Sequence, residues 1–139
     1  MKLFYLLLFT FFIGAPAFAQ NHWKVVVNDR TVLSTASEEE AKNVVVITAA
    51  ELRKRNDLTI VYNERRKAGR ERFMALYDDK DSVVMQQKGG LFKLSNAALA
   101  SLFKQSKKLK LYTWALPTDP KRKAAIRVRR VHLCTLIAE

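Results

Sequence analysis

One cysteine, two histidines, three prolines and four glycines in 139 residues are few, and each shortage closes off a class of protein. Cys134 has no partner for an internal disulfide, even in an oxidising compartment that would permit one. With only His22 and His132, no multi-histidine metal motif can be drawn and hydrolytic chemistry has few parts to work with. The sparse glycines offer no phosphate-cradling loop, and neither a Ser-His-Asp order nor a carboxylate pair in a recognisable setting appears. None of Asn21, Asn28, Asn43, Asn56, Asn63 and Asn96 opens an Asn-x-Ser/Thr glycosylation site. Few turn-forming residues between alternating apolar runs also argue against disorder.

The one long apolar run stands at the start. Lys2, the run Leu3 to Ile13 and the small-residue ending Ala17-Phe18-Ala19 have the layout of a secretory signal peptide over residues 1–19. The run is short for the roughly 20 apolar residues that span a bilayer, and polar Gln20-Asn21-His22 follows at once. The expectation is cleavage after Ala19, no transmembrane segment thereafter, and a bacterial exported protein, periplasmic or extracellular. Residues 20–139 then make one domain, large enough to bury about two-thirds of its unfolded surface without covalent staples.

What is present is mostly strand pattern. Leu109–Leu116 and Ala124–Ile137, joined by the loop Pro117–Lys123, read as a long β-hairpin. In its second strand a bulge at Arg129-Arg130 would account for the shift in apolar phase. Trp23–Val27 and Thr31–Leu33 flank Asn28-Asp29-Arg30 as a first hairpin, and Arg72–Tyr77 and Ser82–Gln86 flank the acidic tip Asp78-Asp79-Lys80-Asp81 as another. Asn43–Ile47, Leu58–Tyr62 and Leu91–Leu94 add further strands. Thr48 and Glu51 have capping-box spacing for a helix over Ala49–Arg55, and Ser95 caps a second over Asn96–Gln105. The sum predicts an all-β fold, an antiparallel β-sandwich of about eight strands with one or two short helices.

Charge is the strongest functional signal. Lys and Arg number 25 against 13 Asp and Glu, and the formal charge of +12 becomes +11 once Lys2 leaves with the leader. Export removes nucleic acid from the expected partners. The remaining anions are envelope components, such as lipid headgroups, lipopolysaccharide phosphates and acidic polysaccharides, or an acidic protein. Arg127, Arg129 and Arg130, aligned by the expected bulge, are the candidate anion-binding row, because planar guanidinium forks donate paired hydrogen bonds to phosphate or carboxylate. The alternative is a metal-binding or electron-transfer domain. His132 and Cys134, two apart, would share one face of the last strand, with His22, Met74 or Met85 completing a copper or zinc site. Against it, a mid-strand cysteine is more often a buried small hydrophobe. The acidic tip reads as a solvated turn before a Ca²⁺ loop, and Trp23, Tyr112 and Trp114 read as core before a sugar platform. The expectation is a non-catalytic binding module that needs no cofactor.

Overall fold

Alternation decides most of the chain. In β1 (His22–Val27), Trp23, Val25 and Val27 are buried; in β4 (Asp57–Asn63) the same holds for Leu58, Ile60 and Tyr62, and in β7 (Leu91–Ser95) for Phe92 and Leu94. A period of two puts each set on one face of a strand. With β2 (Arg30–Thr35) these strands form a four-stranded sheet ordered β2-β1-β4-β7. The turn from β1 to β2 places Asn28 and Asp29 at φ 51° and 64°. Asn and Asp tolerate this left-handed conformation, and two such residues make the tight turn whose twist suits a hairpin. The computed structural model describes residues 21–139, so the expected leader over residues 1–19, and the expected first mature residue Gln20, lie outside the described residues.

A second sheet has five strands, ordered β3-β9-β8-β5-β6, built from β3 (Val44–Ile47), β5 (Arg70–Tyr77), β6 (Val83–Lys88), β8 (Lys108–Pro117) and β9 (Val131–Ala138). One hydrophobic cluster draws on both sheets: Trp23, Ile60 and Phe92 from the first join Leu76, Leu111, Leu133 and Leu136 from the second. Trp23 Nε1 donates to the Leu133 carbonyl at 2.8 Å, satisfying the buried indole across the two layers. Among the described residues three helices accompany the sheets: α1 (Ala49–Leu52), α2 (Asn96–Phe103) and α3 (Pro120–Ala125). Among the described residues no helix is long and apolar enough to cross a membrane.

The fold is therefore mixed α/β, with nine strands in two sheets and three helices among the described residues, rather than a single closed eight-stranded antiparallel sandwich. Pairing is not antiparallel throughout, because β3 lies parallel to β9, Val44 beside Thr135 and Ile47 beside Ala138. The carboxy-terminal hairpin is shorter than its apolar pattern predicts. Asp119 caps α3 by accepting from the Lys121 amide at 3.0 Å, and Pro120 takes the first helical turn, where its missing N–H costs nothing. Residues 126–130 belong to no strand, and β9 starts only at Val131. The bulge is real but displaced: Leu111 faces Cys134 while Tyr112 faces His132, so Leu133 is the extra residue and Arg129-Arg130 precede the strand. At α1 only half of the capping box forms. Thr48 Oγ1 accepts the Glu51 amide at 3.2 Å, while the Glu51 carboxylate turns to Arg30.

Candidate functional site

Period two also governs β5, where Arg70 and Arg72 share parity with Met74 and Leu76, two core residues. Two arginines thus continue an inward-facing row beyond the end of the apolar core. Arg72 is only 8% exposed. Its Nε is bonded to the buried Glu64 carboxylate, its Nη1 donates to Thr113 Oγ1 at 2.9 Å, and its guanidinium lies 4.2 Å from the centre of the Tyr62 ring. A buried charge is stable only with such a set of partners, and Tyr62, itself stacked on Trp23 at 5.8 Å, supplies the cation–π face. Burial pushes the Tyr62 phenol above its ordinary pKa, with the Arg72 guanidinium pulling the other way.

Arg72 borders a cleft of about 570 Å³ at this end of the two sheets. Arg70, Arg127 and Arg129 also line it, opposed by the single carboxylate Glu38, while Trp114, Ile126 and Val128 provide apolar wall. Arg129 is paired with Glu38. Arg70 and Arg127 make no ion pair with any described residue. A shallower depression of about 330 Å³ shares Asn21 and Arg70 with the cleft and adds Arg65 and Arg66. Six arginines therefore follow one continuous surface, with Glu38 and Glu64 as the carboxylates beside them. Water-excluding walls beside guanidinium groups strengthen their hold on an anion, since the local dielectric is lower than in bulk water.

The expected row of Arg127, Arg129 and Arg130 is divided. Arg127 and Arg129 line the cleft, whereas Arg130 packs on the other side, 4.1 Å from the Tyr112 ring centre and 4.7 Å from that of Tyr77, bonded to Asp81. Arg129 turns to Glu38 and Arg130 to Asp81, and these separate carboxylates hold the two guanidinium groups apart. Around Arg130 is a second cleft of about 590 Å³, where Lys107, Lys108 and Lys110 meet Asp78, Asp79 and Asp81. Its charge is nearly balanced, and its size alone does not suit it to anions. The acidic tip itself is a turn: Asp78 Oδ1 accepts from the Lys80 and Ser82 amides, both at 2.9 Å.

The displaced bulge also parts His132 from Cys134. Cys134 pairs with Leu111 and joins the core, while His132 pairs with Tyr112 on the opposite face and bonds Thr135 Oγ1 at 2.8 Å. Burial raises the Cys134 thiol to about 12 and lowers His132 below its ordinary value. Two groups on opposite faces of one strand cannot share a metal ion. Among the described residues no group of three or more His, Cys, Asp or Glu is placed to hold one.

Arg70, Arg72 and the apolar pair Ile126 and Val128 are absent from the sequence-derived site. The signal for the first two was present, since charged residues in phase with Met74 and Leu76 face the protein interior or a cleft at its margin. Ile126 and Val128 fit the strand pattern over Ala124–Ile137, yet they follow α3 outside any strand and are 45% and 46% exposed. No protein-family model matches the chain, and no curated protein matches it.

Proposed function

We propose that the protein is a non-catalytic binding module for an anionic ligand, an envelope component or an acidic protein, acting after export to the periplasm or beyond. The leader pattern over residues 1–19 supports export. Core side chains shared by the four- and five-stranded sheets support reading the two layers as a β-sandwich, with β3–β9 as its parallel departure. The observation that carries the function is the cleft in which Arg70, Arg72, Arg127 and Arg129 face one carboxylate beside apolar wall. Arg70 and Arg127 are the working donors, free of ion pairs among the described residues and exposed at the rim. Arg72 holds the floor positive, and Arg129 becomes available if ligand displaces Glu38, an exchange of exposed partners costing about 0–1 kcal/mol.

Arg70→Ala combined with Arg127→Ala tests this on an anionic chromatographic matrix. The double variant should elute at clearly lower salt than wild type and melt at nearly the same temperature, because neither side chain supports the fold. Lys107→Ala combined with Lys108→Ala removes the same charge from the balanced cleft and should shift elution less. Equal shifts from the two pairs would mean that only net charge matters and that the arginine cleft is no site.

A further inference from the structure

We infer that the arginine cleft receives an extended acidic polypeptide segment, which adds as a strand to the open edge of β8. This rests on the binding reading above and names the ligand as polypeptide. The β8–β9 ladder ends at Thr113 beside Val131, yet β8 continues to Pro117, held on its other side by β5 from Arg70 to Phe73. No backbone hydrogen bond joins Trp114, Ala115 or Leu116 to residues 126–130. The edge of β8 is therefore open here, with Ala115 turning its N–H and C=O away from β5 while Trp114 and Leu116 turn theirs to it, and open strand edges are templates for another strand.

The cleft lies along that edge. Trp114 and Ala115 are neighbours in a strand and point to opposite faces, Trp114 stacking on Phe73 and Ala115 sharing parity with the inward Thr113. Both line the cleft, which can happen only if it borders the edge of the strand and not one face of the sheet. Facing it are four successive residues, Ile126 to Arg129, in which apolar and basic side chains alternate. An added strand of alternating acidic and apolar residues would set carboxylates against Arg127, Arg129 and Arg70 and apolar groups against Ile126 and Val128. A free phosphate or a lipid headgroup would use the arginines and leave the β8 edge and both apolar residues without a role.

Three ten-residue probes separate the possibilities: alternating glutamate and valine, the same composition in two blocks, and the alternating peptide N-methylated at every amide, which leaves neither edge able to donate. The alternating peptide should bind at least tenfold more tightly than either control. It should also slow hydrogen exchange at the Ala115 amide, which points to the open edge, and leave the Trp114 and Leu116 amides, which face β5, unchanged. Equal binding of the N-methylated peptide would overturn strand addition while leaving a charge-based site. Binding by no peptide, with retention on an anionic matrix still lost in the Arg70→Ala, Arg127→Ala variant, would overturn the polypeptide and keep the anion reading. Loss of neither would sink both.

Discussion

At the residue scale, burial separates reactive from structural groups. Cys134 is completely covered between Leu111 and its own strand neighbours, and a thiol held near a pKa of 12 carries almost no thiolate at neutral pH. Cys134→Ala should therefore lower stability by about 1 kcal/mol through lost packing and leave anion binding intact. The native thiol should react with a thiol reagent only as fast as the protein unfolds. Rapid stoichiometric labelling of folded protein would show that the cysteine is accessible after all. Cysteine burial was legible in the sequence from its place between Leu133 and Leu136. The relation of His132 to Cys134 was not, because one bulged residue reverses every later side chain and the Leu133 bulge leaves no local signature.

Strands and their turns make up the element scale, and here local chemistry spoke clearly where it was unopposed. Asn28-Asp29, the Ser95 cap and the alternation in β1, β4 and β7 act through neighbours in sequence, so a single chain reveals them. Asp119-Pro120 was equally informative, being an N-cap followed by proline at the first helical position. The apolar run Ala124–Ile137 masked it, since Ile126 and Val128 satisfy a strand pattern that they do not adopt. The parallel pairing of β3 with β9 depends on contacts across most of the chain and has no local signal. The shortest link between the sheets is Gly89-Gly90, joining edge strand β6 of one to edge strand β7 of the other. Tyr62 donates its amide to the Gly90 carbonyl at 2.8 Å, and a Cβ on Gly90 would meet the Tyr62 carbonyl oxygen at 2.9 Å. Backbone on both sides has little room to yield, so Gly90→Ala should cost about 1–3 kcal/mol in denaturant unfolding. An unchanged midpoint would mean that the crossover shifts freely.

For the whole molecule, charge and topology converge on one end. Basic residues are scattered along the sequence at Arg65-Arg66, Arg70, Arg72, Arg127 and Arg129, and the fold gathers them around one opening. In the second cleft positive charge is offset locally, by Asp78, Asp79 and Asp81 beside Lys107, Lys108 and Lys110. A formal charge of +12 would attract any polyanion to the surface weakly, and the cleft adds apolar walls and, at Arg70 and Arg127, guanidinium groups without an ion pair among the described residues. The sequence showed the excess of charge but not its assembly, since β5 and the segment after α3 meet only through the order β9-β8-β5. The most direct measurement is an NMR titration of the folded protein with polyglutamate at moderate salt. Saturable shifts should centre on the Trp114 indole N–H and the side-chain N–H groups of Arg70 and Arg127. Small shifts spread evenly over all exposed Lys and Arg, or centred on Lys107, Lys108 and Lys110, would contradict a binding site in the arginine cleft.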